Sequence, residues 1–420
     1  MTAAHAVAMI SDHSGTHYAP TRAAGLTRLK AFVPHAARQY AERRNFDLGP
    51  DQRDNVSLLS AWVRHRLVRE DETVRTVLSR HSFRSAEKFI QEVAWRTYWK
   101  GWLEMRPSVW ARYRNAVDAC IHELDESNDL RCRWEDATSG RTGIPCFDAW
   151  VRELVDVGYL HNHTRMWFAS IWIFTLKLPW ELGADFFLRH LVDGDPASNT
   201  LSWRWVAGLQ SRGKTYLAQA GNISKFTAGR FKTVLGLATV AEPLADDWAV
   251  APAALPPAGV LPNNRAFGLL VTEDDCDPLS LGLPIGRMRT AAGIPMTHGR
   301  SPLPAGERPA VFSAGAIADA LERARDASGC PTEMLSSDAS AEGVIDWARS
   351  ASVEEIVTGY VPVGPTADWL NGLRAPLDRA GISLTTPRRI WDDMLWPHAT
   401  KGFFPFKEKL PSALRDLGIG

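Results

Sequence analysis

Apolar positions along residues 26–235 recur with the spacing of amphipathic helices rather than with the alternation of strands. The period is clearest in six segments, at residues 26–43, 57–69, 86–104, 146–157, 163–178 and 180–192. Prolines of this region fall mainly at segment boundaries, as at Pro107, Pro145 and Pro179, where a helix can begin or end. Runs of β-branched residues are missing. The pattern therefore predicts a mostly helical N-terminal half.

The composition changes between residues 241 and 264, where proline and alanine crowd a stretch with few charges, as is typical of a linker. Beyond it, strand-like segments at 266–274, 332–337, 354–362 and 382–388 alternate with helix-like segments at 315–327, 341–350 and 366–381. This alternation favours a parallel sheet. We expect an α + α/β chain, with an all-helical domain over 1–240, a linker over 241–264 and a small parallel α/β domain over 265–420.

The net charge of zero conceals two unlike halves. Residues 1–240 carry 32 Lys and Arg against 25 Asp and Glu, whereas residues 241–420 carry 16 against 23. A basic half is compatible with a polyanionic partner, although a solvated basic face gives the same sequence. The five cysteines lack metal-site spacing, the N-terminus lacks an export signal, and no run reaches the roughly 18 apolar residues of a membrane span. We expect reduced thiols, no bound metal and a cytoplasmic location.

Polar side chains are concentrated in the otherwise apolar segment from 142 to 205. They are two carboxylates, two amides and an arginine, set beside a methionine and two tryptophans: Asn162, Arg165, Met166, Asp193, Asp195, Asn199, Trp203 and Trp205. Burying charges and amides is costly without a partner, so the pattern indicates a large polar ligand. The two aspartates alone could also suggest a divalent metal, but hard cations need more oxygen ligands than two carboxylates provide.

A second set follows the pattern Glu-x-x-Trp-Arg, with Glu92, Trp95 and Arg96. At positions i, i+3 and i+4 the three side chains share one helix face. An isolated pattern of this kind is usually a solvated ion pair on a helix surface. Its register with the downstream residues favours a functional interpretation.

These motifs together resemble the photolyase/cryptochrome family over residues 36–232. The upstream part of the resemblance consists of a tyrosine and a loop, VSLLSA, that is similar to the family's pyrophosphate-binding TSRLSP loop: Tyr40, Ser57, Leu59 and Ser60. Val56 and Leu58 replace the usual Thr and Arg of that loop. We therefore expect a weaker contact with the phosphates.

The resemblance implies FAD as the cofactor, with contacts from Tyr40, Ser57, Leu59, Ser60, Glu92, Arg96, Asn162, Arg165, Asp193, Asp195, Asn199 and Trp203. Asp193 would pair with Arg165, and Asn199 would face flavin N5, where repair enzymes typically have Asn. Trp203 and Trp180 match the first two tryptophans of the chain that photoreduces the flavin. The third has no counterpart near Leu124, and four other tryptophans could replace it: Trp134, Trp172, Trp99 and Trp102.

Catalytic roles are implied for Glu92 and Asn199. The resemblance further implies lesion or DNA contacts from Trp95, Asn162, Met166, Trp205 and Lys225. Met166 is typical of family members that repair cyclobutane dimers, whereas the branch that repairs (6-4) lesions uses a histidine pair. We interpret His161 as structural, and His163 as the replacement of an arginine that contacts DNA phosphate.

The order of the two domains is the reverse of the usual order in the family. The α/β segment ends in WPHATKGFFPFKEK, at residues 396–409, and this segment is similar to the close of the family's α/β domain. The inverted order resembles the bacterial subgroup NewPHL, in which the α/β domain caps the FAD site. It implies light-dependent splitting of cyclobutane pyrimidine dimers by electron transfer from photoexcited FADH⁻, with a preference for single-stranded damaged DNA. The alternative is a cryptochrome-like blue-light photoreceptor. We expect a monomer and predict no antenna chromophore.

Overall fold

A computed structural model describes residues 18–245, 250–261 and 265–420. Within these residues a helical region is followed by a small parallel α/β region, as the sequence predicts. Residues 246–249 and 262–264 of the expected linker lie outside the described residues, and the described part of that linker forms no helix or strand. No helix among the described residues is both long enough and apolar enough to cross a membrane.

The helices described in the N-terminal region are α1 (Arg22–Phe32), α2 (Arg38–Arg43), α3 (Ser60–Arg64), α4 (Glu70–Leu78), α5 (Phe83–Glu104), α6 (Pro107–Glu126), α7 (Asn128–Thr138), α8 (Pro145–Val157), α9 (Asn162–Ser170), α10 (Trp180–His190), α11 (Pro196–Val206) and α12 (Ala220–Phe226). A π-helical turn, Ile171–Thr175, continues α9.

Local backbone chemistry explains where these helices depart from the periodicity. The segment predicted at 57–69 is helical only over α3, because Leu58 and Arg66 adopt positive φ angles of 55° and 52° on either side of it. The segment predicted at 26–43 is interrupted by a 3-10 turn, Val33–His35, that contains Pro34. The periodicity predicts no separate helix for α4, α6 or α7. In α7 only Leu130 and Ala137 are buried, so its apolar stripe is too narrow to stand out.

Helix α5 lies between the two regions of the molecule. Its N-terminus is capped by Ser82, whose Oγ accepts a hydrogen bond from the Ser85 amide at 3.3 Å. Near its C-terminal end, Gly101 packs against Trp396 so closely that a Cβ atom would lie 2.8 Å from the indole ring. Only glycine allows this approach. The C-terminal region thus packs closely against the helix that carries Glu92, Trp95 and Arg96.

The α/β region contains five parallel strands in the order β3-β2-β1-β4-β5. They are β1 (Phe267–Thr272), β2 (Met288–Ile294), β3 (Thr332–Met334), β4 (Glu355–Val357) and β5 (Ser383–Thr385). The central strand β1 is buried along its whole length, as expected of a parallel strand covered on both faces. The sequence pattern does not predict β2, whose small residues lack a β-branched run. Its Gly293 lies where a Cβ would come within 2.2 Å of Ile317.

The remaining helices are α13 (Glu307–Ser328), α14 (Ala341–Ser350), α15 (Pro365–Arg379), α16 (Ile390–Leu395), α17 (Phe403–Lys407) and α18 (Leu410–Asp416). A buried set of charges, here termed the interface cluster, joins this region to the helical one and consists of Arg66, Asp275, Arg389 and Asp392. Arg389 donates two hydrogen bonds of 2.7 Å to the two carboxylate oxygens of Asp275. Arg66 donates to Asp392 and lies 3.5 Å from Asp275. The two regions are therefore held together by ion pairs shielded from water.

Candidate functional site

A cleft in the helical region brings together residues that lie far apart in the sequence. Six of the predicted cofactor-binding residues line it: Tyr40, Ser57, Leu59, Ser60, Glu92 and Asn162. The loop before α3 forms one wall, and Arg28 holds this loop by donating to the carbonyl oxygens of Ser57 at 2.7 Å and Val56 at 3.0 Å. Arg28 therefore fixes the backbone of this loop through two of its carbonyl oxygens.

Arg44 is the cation of this cleft. Its Nη1 donates to Glu92 on α5, and both side chains are only partly exposed. Burial raises the pKa of Glu92, and the pairing with Arg44 offsets that rise only in part. Sequence reasoning missed Arg44. The sequence does contain a signal for it: Arg44 directly follows α2 and lies four residues after Tyr40, so the two side chains share one face of that helix.

The two predicted lesion-stacking tryptophans already have aromatic neighbours. Trp95 stacks face to face on Phe403 of α17, with ring centroids 3.6 Å apart and an interplanar angle of 9°. Trp205 stacks on Tyr216 at 5.8 Å and 30°. Each ring therefore has one face covered by the protein. Phe403 was not predicted, because nothing in the sequence places the C-terminal segment beside α5.

Arg165 and Asp193 form the predicted ion pair. Nη2 of Arg165 lies 3.0 Å and 2.9 Å from the two carboxylate oxygens, and its Nε donates to the carbonyl oxygen of Leu160 at 2.9 Å. Burial alone would raise the pKa of Asp193, but the charges of Arg165 and Arg96 outweigh burial and lower it. Asp193 is therefore ionised and held in one orientation.

Asp195 lies among three cations, and we term this group the Asp195 cluster: Asp195, Arg64, Arg96 and Lys100. Its Oδ1 caps α11 by accepting from the Ser198 amide at 2.7 Å. Its Oδ2 lies 3.7 Å from Lys100 Nζ, 3.8 Å from Arg96 Nη1 and 4.0 Å from Arg64 Nε. Burial would raise the pKa of Asp195, but these cations lower it overall. Arg64 is paired more closely with Asp274, at 2.8 Å, so Arg96 and Lys100 are the cations that depend on Asp195.

Several buried donors around this cluster have no hydrogen-bond partner among the described residues. They are Arg96 Nη1, Lys100 Nζ, Ser198 Oγ and Trp203 Nε1. Buried donors without partners are rare in folded proteins and require an explanation. A polar ligand with several acceptor groups, such as a flavin nucleotide, fits these donors. Lys100 and Arg64 were not predicted, although Lys100 follows Arg96 by one helical turn on α5.

Asn199 and Trp203 occupy adjacent turns of α11. The Asn199 amide donates to the carbonyl oxygen of Ala184 at 2.7 Å, which fixes its orientation and leaves Oδ1 as an acceptor. Trp203 is buried and contacts Phe187 edge to face at 5.1 Å. Gly183 of α10 packs against the same indole, where a Cβ would lie 2.4 Å from the ring.

The other predicted residues lie at several depths. Tyr40 and Trp180 are buried, Met166 is half-buried, and Asn162 and Lys225 are exposed. His161 is buried and ties two segments together, because its Nε2 lies 3.0 Å from the carbonyl oxygen of Arg44 and its Nδ1 accepts from the His163 amide. Burial lowers the pKa of His161 to about 4, so it is neutral at physiological pH. No group of three or more potential metal-ligating side chains occurs among the described residues.

Comparisons with known proteins identify the helical region. Residues 89–228 match the family model described as the FAD binding domain of DNA photolyase. This range contains the predicted site residues from Glu92 to Lys225. The match confirms the resemblance for that part of the chain, and FAD agrees with the family's description. It does not extend to Tyr40 or to the loop at Ser57–Ser60.

The curated relatives are photolyases of which the chain matches only part. The deoxyribodipyrimidine photo-lyase of Streptomyces griseus is 37% identical over 156 residues, covering 37% of this chain and 32% of the relative. The enzyme of the same name from Synechococcus sp. is 32% identical over 224 residues, covering 50% of this chain and 43% of the relative. The chain thus spans less than half the length of these relatives. A solved bacterial class III photolyase from Agrobacterium tumefaciens is 29% identical over 50% of this chain and 43% of its own, with a TM-score of 0.41.

Proposed function

We propose that this protein binds FAD and uses blue light to split cyclobutane pyrimidine dimers in DNA. The observation that carries the proposal is the set of unpartnered buried donors around Asp195, namely Arg96, Lys100, Ser198 and Trp203, all of which lie within the region that matches a photolyase FAD-binding domain. Named relatives of that region are deoxyribodipyrimidine photo-lyases. The proposal therefore rests on a site that needs a polar ligand and on a family that supplies one.

Two groups of residues would hold the cofactor. The Arg165–Asp193 pair, the Asp195 cluster and Asn199 would hold its ring system, because they offer oriented charges and an acceptor in a buried setting. The cleft beside Ser57 and Ser60 would hold its phosphates, with Arg44 in place of the missing loop arginine. When bound, FAD would supply the light-excited electron for ring splitting, while the protein orients it and excludes water.

The lesion would bind between Trp95 and Trp205. A dimer must leave the base stack to reach such a pocket, and stacking on aromatic rings contributes roughly 1–3 kcal/mol per base. Phe403 covers one face of Trp95 and holds the ring in place, so the opposite face is the one offered to the dimer. When the lesion binds, Glu92 would release Arg44 and donate a hydrogen bond to the dimer instead. Its raised pKa favours the protonated form, which can donate.

The preference for single-stranded DNA is part of the same proposal. Its support is the order of the regions, with the α/β region after the helical one, and the clamping of α5 by the C-terminal segment. We infer that the α/β region caps the cofactor site. An unpaired strand exposes a dimer at lower cost than a duplex does, because no base pairs must open.

One observation favours the alternative of a cryptochrome-like photoreceptor. The ring that should form a wall of the lesion pocket is stacked on Phe403, and Glu92 is already paired with Arg44. A protein that never binds a lesion could retain both contacts permanently.

Repair assays distinguish the two functions. Protein carrying chemically reduced flavin is illuminated with oligonucleotides that contain one thymine cyclobutane dimer, as single strands and as duplexes. We expect repair of the single strand and slower repair of the duplex. Equal repair of both substrates would support the repair activity and reject the preference for single-stranded DNA. No repair of either substrate by flavin-loaded protein would favour the photoreceptor.

Glu92→Gln provides the residue-level test, with Glu87→Gln as the matched control on the same helix. The glutamine keeps a hydrogen-bonding side chain but removes the acidic proton. We expect the repair quantum yield of Glu92→Gln to be several-fold lower than that of the wild type, at unchanged flavin content. The yield of Glu87→Gln should equal that of the wild type, because the partners of Glu87 are Gln91 and Lys407. Equal yields for both variants would rule out the proposed role of Glu92.

A further inference from the structure

A line of aromatic rings leads from Trp180 towards the protein surface. The Trp180 ring centroid lies 5.7 Å from that of Tyr113, and the Tyr113 centroid lies 5.4 Å from that of Trp110. All three residues are buried. Aromatic rings at these separations are in direct contact, so no gap interrupts the line.

Helix α10 connects the inner end of this line to Trp203. Trp180 begins α10, and Gly183, which follows it by one turn, packs directly against the Trp203 indole. The line therefore begins one helical turn from the contact with the residue that the resemblance assigns as the first electron donor to the flavin.

The outer end of the line opens onto a cleft between α6 and α15. This cleft has a volume of about 450 Å³, and Trp110, Arg114 and Asp368 all border it. The indole N–H of Trp110 donates to the carboxylate of Asp368 at 2.8 Å, and Asp368 is exposed to solvent. The Arg114 guanidinium lies 5.8 Å from the Trp110 ring centroid. A proton released by the indole thus has an acceptor that leads directly to water.

Tyr113 is suited to pass an electron but not to keep the positive charge. Its hydroxyl has no hydrogen-bond partner among the described residues, and burial raises its pKa well above the usual value. An oxidised tyrosine is stabilised by losing its hydroxyl proton, and here no acceptor is in place. Trp110 differs because Asp368 can take its proton.

We propose that Trp110, reached through Tyr113, is the terminal electron donor of the flavin photoreduction chain. The proposal rests on the proposed FAD cofactor. Trp203 gives one electron to the light-excited oxidised flavin, and Trp180 refills Trp203. Trp110 refills Trp180 through the Tyr113 ring, and the oxidised Trp110 then transfers its indole proton to Asp368. The product is a neutral Trp110 radical, which a thiol from solution reduces by supplying one electron and one proton.

The four tryptophans considered from the sequence fit this role less well. Trp172 contacts Trp203 at 6.3 Å, but its N–H is bonded to the carbonyl oxygen of Pro179, which cannot take the indole proton as a carboxylate can. Trp134 has no aromatic ring contact among the described residues. Trp99 and Trp102 lie on α5, where Trp99 packs on Trp95 and Trp102 lies beneath Arg106. Arg106 lies closer to the Trp102 ring centroid, at 4.2 Å, than Arg114 lies to that of Trp110, at 5.8 Å, and so disfavours oxidation more strongly. Among the described residues no carboxylate accepts the Trp102 N–H, whereas Asp368 accepts that of Trp110.

The test is flash photolysis of protein carrying oxidised FAD, without DNA. Wild-type protein should yield a long-lived neutral tryptophan radical. Trp110→Phe keeps a ring in place and should lose this long-lived signal, whereas the control Trp134→Phe should retain it. Loss of the signal in Trp134→Phe, or its persistence in Trp110→Phe, would overturn the assignment.

Two further variants keep the test informative if Trp110→Phe misfolds. Asp368→Asn still accepts the N–H hydrogen bond but is not a base, so the radical should persist in its protonated form, with the absorption of the cation. Tyr113→Phe keeps the bridging ring and should retain the long-lived radical. Loss of the radical in Tyr113→Phe together with its persistence in Trp110→Phe would make Tyr113 the terminal donor and reject Trp110.

A chemical readout independent of flavin absorption locates the radical. The protein is illuminated with a spin trap and digested, and mass spectrometry should find the adduct on the peptide that contains Trp110. An adduct on another aromatic residue would refute the proposal. Because no DNA is present, these results are separate from repair: a Trp110 radical in a protein that repairs nothing would reject only the proposed function.

Discussion

The molecule contains two buried clusters of charge that use the same residue types in different ways. In the interface cluster, Arg389 grips Asp275 with two hydrogen bonds of 2.7 Å, and Arg66 is bonded to Asp392. In the Asp195 cluster the cations stand 3.7–4.0 Å from the carboxylate, and two of them have nitrogen atoms without hydrogen bonds.

The difference between the two clusters shows how buried charges that stabilise the fold can be distinguished from buried charges that bind a ligand. Charges taken out of water must be compensated, and in the interface cluster Asp275 and Asp392 each accept hydrogen bonds from an arginine. Arg66 Nε has no hydrogen bond among the described residues, but it lies 3.6 Å from Glu70. In the Asp195 cluster, Arg96 Nη1 and Lys100 Nζ have no hydrogen-bond partner among the described residues, which is what a site completed by a ligand would show. The interface cluster should therefore govern stability, and the Asp195 cluster should govern cofactor binding.

The largest effect is expected from Arg389→Ala. This change leaves Asp275 buried without its bidentate partner, and breaking a buried pair in this way typically costs about 3–5 kcal/mol. Chemical denaturation of the flavin-free protein measures the change in the free energy of unfolding. The exposed Arg379→Ala on α15 serves as the control and should alter stability little. A loss for Arg389→Ala no greater than for Arg379→Ala would mean that the buried Arg389–Asp275 pair does not stabilise the protein.

Glu104 represents a third case, a buried carboxyl group bonded by neutral donors. It accepts hydrogen bonds from the Tyr360 hydroxyl and the Val363 amide, and burial raises its pKa from 4.5 to about 7. The unfolded chain releases this proton near pH 4.5, whereas the folded protein keeps it until about pH 7. Stability should therefore fall as pH rises through that window, by on the order of 1–3 kcal/mol.

Glu104→Gln removes this titration while keeping a hydrogen-bonding side chain. The difference in unfolding free energy between wild type and Glu104→Gln should therefore change between pH 4.5 and 7 and level off above it. Denaturation curves at several pH values measure it. A difference that stays constant with pH would show that Glu104 titrates normally.

Lys100→Met separates binding from stability at the Asp195 cluster. Burial lowers the pKa of Lys100, and its Nζ has no hydrogen bond, so an apolar side chain of similar length should not destabilise the flavin-free protein. FAD affinity should fall by about tenfold, which corresponds to about 1.4 kcal/mol. Fluorescence titration with FAD measures the affinity, and Lys88→Met, exposed on the same helix, is the control. Unchanged affinity with reduced stability would assign Lys100 to the fold rather than to the ligand.

The smallest effect is expected from Phe403→Leu, which removes the ring stacked on Trp95 but keeps an apolar side chain. Stacked aromatic pairs contribute roughly 0.5–1.5 kcal/mol beyond the area they bury. Trp95 should become less well oriented, and affinity for a dimer-containing oligonucleotide should fall a few-fold at unchanged FAD content. Tighter binding instead would show that Phe403 obstructs the lesion pocket.

The sequence predicts the fold class, and it predicts which site residues lie together where those residues are close in the chain. Glu92, Trp95 and Arg96 follow helical spacing, and the residues from Asp193 to Trp205 are close in sequence, so local geometry brings each set together. Arg44, Lys100 and Phe403 were missed for different reasons. Lys100 shares a face with Arg96 and could have been found by extending the helix by one turn. Phe403 lies 308 positions after Trp95, and only the tertiary structure brings them into contact.

Elements were missed where burial does not produce a periodic apolar pattern. Strand β2 is buried but built from small residues, because α13 packs too closely to admit a side chain at Gly293. The helix predicted at 57–69 is short because two residues take positive φ angles that no apolar period can indicate. In both places the backbone follows a tertiary constraint rather than a local preference.

Helix α4 has a consequence for the covalent order of the chain. Arg22 pairs with Glu72, and Arg75, three residues later, donates to the carbonyl oxygen of Gly418. The first and last parts of the described chain are therefore anchored on one turn of the same helix. A peptide joining them, with the chain opened within residues 250–261, would place the α/β region first and leave the contacts between the two regions intact. The order of the helical and α/β regions along the chain therefore depends only on which ends are joined, and the same fold is compatible with either order.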